Sequence, residues 1–124
     1  MNYNPATRRY FDNPPGVGEL AGEGIIRASA GNREEGAFVQ LTFKIGERRI
    51  EDARFLAVGC PHLIAMAAWL TERAVQAPVQ MDLPDSQQHI RERFDLPVEK
   101  VGRLLLLEDA WRAAMRQALA SDPR

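Results

Sequence analysis

The chain has one cysteine, Cys60, which stands immediately ahead of Pro61 and two residues ahead of His62. Proline suits the first position of a helix, where its missing N–H would have had no partner in any case. A cysteine just before it faces the unpaired N–H groups of the helix head, and that positive end favours a thiolate. Such a sulfur can attack an electrophile or bind a soft metal, although cysteine is also among the most buried residue types and can be an inert core thiol. His62 could add a second ligand, since a neutral imidazole binds iron or zinc; in a first helical turn it could equally be solvated or a capping group. As a catalytic dyad the pair is poor, because residues two apart on one turn point in different directions. An enzyme with Cys60 as nucleophile is therefore not expected. His89 falls on an expected surface helix and needs no special role.

Composition narrows the remaining choices. The chain has 124 residues, enough for one domain with a real core, and is expected to be a single unit over 1–124. Lys and Arg total 16 against 17 Asp and Glu, and a net charge of -1 supplies no field that would gather nucleic acid or an anionic membrane. The small basic clusters at Arg8–Arg9, Arg48–Arg49 and Arg91 with Arg93 are interleaved with acids and read as solvated surface. A lone cysteine excludes an intrachain disulfide and fits a reducing cytoplasm. The opening MNYNPATRRYFDNPPG lacks the apolar core of a signal peptide, and the longest apolar run, Leu63 to Leu70, is too short to span a bilayer.

The elements that must position Cys60 can be read from periodicity. Tyr3 to Phe11 suits a short amphipathic helix, stopped by Asn13, Pro14, Pro15 and Gly16. Gly24 to Ala30 reads as an edge strand. In the next strand Val39, Leu41, Phe43 and Ile45 alternate with Gln40, Thr42 and Lys44, which predicts one apolar and one wet face. Gly46, Glu47 and Arg48 make the turn, and Ile50 to Val58 returns as a third strand with both faces buried towards its end. A helix follows from Pro61 to about Ala74 with almost no polar side, hence central or under a partner, and Pro78 is expected to end it. A short helix is expected from Asp85–Gln87 to Phe94. Pro97 opens the last helix, with Val98, Val101, Leu104, Leu105, Trp111, Met115 and Leu119 inward and Arg112 and Arg116 towards water, and Ser121 to Arg124 should fray. Strands first and helices afterwards define an α+β domain: a small antiparallel three-stranded sheet with helices packed on one face.

Three separated pieces resemble the iron-sulfur cluster assembly scaffold family of IscU, SufU and the N-terminal domain of NifU. They are Tyr10-Phe11-Asp12-Asn13-Pro14 with Gly16-Val17-Gly18, then Ile50-Glu51-Asp52-Ala53-Arg54-Phe55 to Gly59-Cys60, and Leu106-Leu107-Glu108-Asp109-Ala110. In the family the second piece is a strand that delivers a cysteine to a helix head, and the third begins the long helix after the last ligand. The resemblance implies a scaffold that is not an enzyme, works in or regulates cluster assembly, and has a cysteine desulfurase or other assembly proteins as partners. An interaction module that binds such a partner without metal is the alternative. Cys60 would then be a sulfur acceptor or lone metal ligand.

The resemblance also implies what is missing. The family presents three cysteines with a histidine or aspartate nearby, because thiolates hold the irons. Here the Cys-Gly-Asp of the family falls on Glu35, Gly36 and Ala37, and its His-Cys pair on Gly102 and Arg103, so four ligand groups are gone. The cargo expected of the site is an iron-sulfur cluster, iron or zinc, with no full cluster in one chain; two chains could pool Cys60 and His62 in a homodimer. Glu35, or Glu34 if the loop shifts, could pair with Arg103 in place of a metal, or both could point to water, where such pairs contribute little. The chaperone-docking Leu-Pro-Pro-Val-Lys of the bacterial members corresponds to Leu96-Pro97-Val98-Glu99-Lys100, and only Leu96, Pro97 and Lys100 match.

Overall fold

The computed structural model describes residues 3–121. The expected fraying at the C-terminus concerns Ser121, which closes the last helix, and 122–124, which lie outside the described residues.

The first helix, α1 (Pro5–Asp12), starts later than expected. Asn4, held extended ahead of Pro5, takes the cap position, and its Oδ1 accepts the Thr7 N–H at 2.9 Å, which leaves Tyr3 outside the helix. Strand β1 (Ile26–Asn32) is shifted towards the hairpin relative to the expected 24–30, because Gly31 and Asn32 still pair with Phe38 and Ala37 of β2 (Ala37–Gly46). Strand β3 is Arg49–Val58; Gly46 pairs with Arg49, so the turn contracts to Glu47 and Arg48, both at positive φ. This two-residue mirror-image turn matches the twist of the strands it joins.

The sheet is antiparallel in the order β1-β2-β3, and its rows cross all three strands: Ile26, Phe43 and Ala53 form one, and Ala28, Leu41 and Phe55 the next. These six residues are buried against the helices α2 (Pro61–Ala74) and α4 (Val101–Ser121), which share one face of the sheet. In the core the Phe43 ring meets Trp111 edge-on at 5.6 Å. α2 is central as its composition predicted: α1, β3 and α4 all pack on it.

Three details differ from the periodicity. Thr42 is not on a wet face: it is buried beneath the loop after α1, and its Oγ1 accepts the Leu20 N–H at 3.0 Å. The end of β3 is not buried on both faces, since Leu56 and Ala57 are half-buried and Val58 is exposed. α2 ends at Ala74, as expected, and the chain then turns, ahead of Pro78, to pair with the outer edge of β3: Gln76 N–H donates to Ile50 O at 2.7 Å, and Ile50 N–H to Ala77 O at 2.9 Å. Further along that edge Gly18 N–H donates to Phe55 O and Phe55 N–H to Gly16 O, each at 2.8 Å, so no long open edge remains on β3. Finally, a single 3-10 turn (Val98–Lys100) precedes α4, and Val98, Leu105 and Leu119 are exposed. The buried side of α4 is formed by Leu104, Leu107, Ala110, Trp111, Ala114, Met115 and Ala118. The short helix α3 (Gln87–Arg93) is capped by Ser86, whose hydroxyl accepts the His89 N–H at 3.1 Å.

Candidate functional site

β3 ends at Val58 and hands Gly59 and Cys60 to the head of α2. Cys60 takes the cap position with extended backbone (φ -73, ψ 165) and makes no side-chain capping bond; it is half-buried. Gly59 lies close to both the helix it feeds and the hairpin. A Cβ there would lie 2.7 Å from Leu63 Cδ2 and 3.6 Å from the Gly36 carbonyl oxygen, so the β3–α2 corner rests directly against the hairpin tip 33–36.

That tip is shaped by its own short-range bonds. Asn32 Oδ1 accepts the Glu34 N–H at 2.7 Å, and Gly36 N–H donates to Arg33 O at 3.1 Å. The Arg33 guanidinium lies over the Phe38 ring at 4.3 Å, a cation–π contact that holds the arginine along the strand. Glu34 and Glu35 are exposed, and Ala37 is half-buried at the start of β2.

The head of α4 supplies the third side. Lys100 closes the 3-10 turn near His62, and two turns on, Leu106 packs against the hairpin base: a Cβ on Gly31 would lie 3.1 Å from Leu106 Cδ1. Arg103 lies between them, half-buried, with its Nε buried and without a hydrogen-bond partner; Gly102 is exposed beside open space. The three chain turns that carry the expected ligand positions therefore converge. Of the two outcomes open for Glu35 and Arg103, the ion pair is not formed: among the described residues no ion pair joins Arg103 to Glu35 or to Glu34. Water solvates the carboxylates on the open tip, so nothing draws them over the guanidinium.

His62 is neither solvated nor a capping group. Only 6% of it is exposed, and its Nδ1 is buried without a hydrogen-bond partner. The Tyr3 ring covers it edge-on, and burial, helped by the Lys100 charge and opposed by Asp95, holds its pKa below 6.5. Tyr3, Asp95 and Lys100 were not legible as its neighbours, since they come from distant parts of the chain. His89 is on the surface as expected, with Nδ1 at 2.9 Å from Asp85 Oδ1, a bond that holds the Asp85 carboxyl below its usual range. Among the described residues no group of three or more His, Cys, Asp or Glu side chains is placed to hold a metal ion. Among the described residues no helix is long and apolar enough to cross a membrane.

Cys60 thus stands at a helix head, with the hairpin tip resting against the Gly59 corner beside it. The NifU-like N terminal domain family matches residues 2–121, and the chain belongs to that family. It is 31% identical to iron sulfur cluster assembly protein 1 of Encephalitozoon cuniculi, over 94% of this chain and 86% of that protein. It is likewise 31% identical to the iron-sulfur cluster assembly scaffold protein IscU of Haemophilus influenzae, over 93% of this chain and 94% of that one. The crystal structure of an N-terminal NifU-like protein from Brucella abortus superposes with a TM-score of 0.74 at 16% identity, covering 96% of this chain and 95% of that one, which shows the fold. The Haemophilus influenzae relative is named a scaffold, and none of the three carries the name of an enzyme.

Proposed function

We propose that this chain, as a single domain over 1–124, acts in or regulates iron-sulfur cluster assembly in the cytoplasm, with a cluster site too degenerate to hold a complete cluster in one chain. What supports the reading is that the chain holds one thiol, Cys60, and that Glu35, Ala37, Gly102 and Arg103 fall where the family resemblance puts the other ligands. A cluster needs four ligands with tetrahedral iron, and its cargo irons prefer thiolates. Its partners are a cysteine desulfurase or other proteins of the assembly machinery. Two chains together supply two Cys60 thiols, which makes a shared metal in a homodimer the one route to fuller ligation.

The test is purification without oxygen, followed by iron, zinc and sulfide analysis and by reconstitution with ferrous iron and sulfide, on wild type and Cys60→Ser. Iron and sulfide well below one cluster per chain are expected; a complete cluster on a monomer overturns the reading. The burial of His62 under Tyr3 favours the second form of it, an interaction module that binds its partner without metal. In that form Cys60→Ser still binds the desulfurase and keeps its effect.

A further inference from the structure

The outer ridge of α4 meets nothing else in the chain along most of its length. Gly102, Leu105, Asp109, Arg112, Arg116 and Leu119 follow one another at alternating steps of three and four, the 3.5-residue repeat that lets two helices pack side by side. All are exposed except Arg112, which is half-buried. Leu105 and Leu119 are the only exposed leucines among the described residues. Among those residues no ion pair involves Asp109 or Arg116, and Arg112 reaches Asp82 at 3.5 Å, with that carboxylate side chain 90% exposed. Gly102 is the unexpected member. Glycine weakens a helix relative to alanine, yet a Cβ here would meet nothing within 4 Å, so no contact inside the chain calls for it. On an open helix face it leaves a seat for a side chain from outside.

The charges on this ridge complement a second copy of the same ridge, in one orientation. Packed parallel, each residue would face its own copy, and Asp109, Arg112 and Arg116 would each meet a like charge. Packed antiparallel about a two-fold axis between residues 110 and 111, Asp109 meets Arg112 of the second copy and Arg112 meets its Asp109. Leu105 then lies along the aliphatic stem of Arg116, and Leu119 drops onto Gly102. We propose that the chain pairs with a second copy through this ridge, as an antiparallel isologous dimer. The proposal does not depend on the reading of the Cys60 site. The heads of the two helices, and with them the two Cys60 corners, lie at opposite ends of a seam about 30 Å long, so this dimer does not pool the thiols. Six positions a side make a small interface, so the dimer is half-formed at roughly 0.1 mM and dissociated at the low micromolar concentrations of unfolding measurements.

The experiment is sedimentation velocity on the whole chain from about 10 µM to about 1 mM, with reductant and chelator present to exclude disulfide-linked and metal-bridged pairs. Wild type should pass from monomer to dimer across that range. Asp109→Arg sets arginine against arginine and should raise Kd by about tenfold or more, and Arg112→Asp sets aspartate against aspartate with the same effect. The double variant Asp109→Arg/Arg112→Asp restores opposite charges with the polarity reversed, and should return Kd to within about threefold of wild type. Gly102→Ala puts a methyl into the seat of Leu119 and should weaken the dimer about tenfold, while the urea midpoint of the dilute monomer stays equal or rises. That opposition separates a contact between copies from a fault in folding. A chain that remains monomeric at the highest concentration overturns the inference. So does a dimer that Asp109→Arg and Gly102→Ala leave unchanged, since it must use another surface. A dimer that forms only without chelator also overturns it, and supports instead the shared metal at Cys60.

Discussion

The Tyr3 ring packs edge-on against the His62 imidazole, with centroids 4.9 Å apart and planes inclined by 70°. The contact ties the start of the described chain to the head of α2, two residues from the lone thiol. It also has a pH dependence. Burial and Lys100 lower the folded pKa of His62 from 6.5, the value expected once the chain unfolds and the ring is in water. Between the two values the unfolded chain binds a proton that the folded one does not, so stability is flat above the unfolded pKa and falls as pH drops through it. The slope attributable to this residue is at most about 1.4 kcal/mol per pH unit. Urea midpoints of wild type and His62→Asn from about pH 8 to about pH 5 should diverge in slope only on the acid side. Equal slopes there would mean that the imidazole is not held neutral by its surroundings.

The loop after α1 is fitted to α2 at one point, Gly16. Its φ is +81, and a Cβ added there would sit 2.5 Å from Thr71 Cγ2. Gly16→Ala should therefore combine left-handed strain of about 1 kcal/mol with an overlap worth roughly 1–3 kcal/mol. Thr71→Ser removes the offending methyl and keeps a hydroxyl that can donate to Ala67 O. Chemical denaturation of the four-member cycle should show Gly16→Ala costing less in the Thr71→Ser background than in wild type. Gly18→Ala, at φ +131 with nothing within 4 Å, should show backbone strain alone.

Tyr10 fastens α1 to α2 by donating its hydroxyl to Glu72 Oε1 at 2.5 Å, and burial together with the Glu72 carboxylate raises its pKa. Bonds to charged acceptors contribute more than neutral ones, but Glu72 is exposed and water competes for it. Tyr10→Phe should cost about 1 kcal/mol, with the ring still filling its place against Phe94. A loss well above that in denaturant unfolding would indicate that the hydroxyl organises more of the helix pair than this one bond.

Local chemistry made the fold readable wherever it acted alone. The alternation of Val39, Leu41 and Phe43 fixed the inward face of β2, and the Cys60-Pro61 pair marked the strand-to-helix corner within a residue. What was not readable depends on chain segments that meet from far apart. Thr42 looks wet until Leu20 arrives above it, and His62 looks exposed until Tyr3 covers it. The burial of Arg103 Nε has no local signal either, because it depends on how the head of α4 lies against the hairpin and α2. The pairing of the segment after α2 belongs to the same class, since Ile50 on β3 and Arg48 in the turn before it accept the N–H groups of Gln76 and Val79.

α4 carries a run in which adjacent leucines look equivalent in the sequence and are not. Leu104 is fully buried, while Leu105 is 45% exposed, because one residue turns a helix by about 100° and only one of the pair can face the sheet. The apolar spacing alone admits either face; the small residues Ala110, Ala114 and Ala118 choose it, since they let the helix approach the strands closely. Leu104→Ala should then cost roughly 2–5 kcal/mol, as for a core leucine, and Leu105→Ala less than about 1 kcal/mol. Urea unfolding of the two variants measures the difference directly. Comparable losses would place Leu105 against a surface that covers it in solution, and the exposed side of α4 would have to be assigned to an assembly contact.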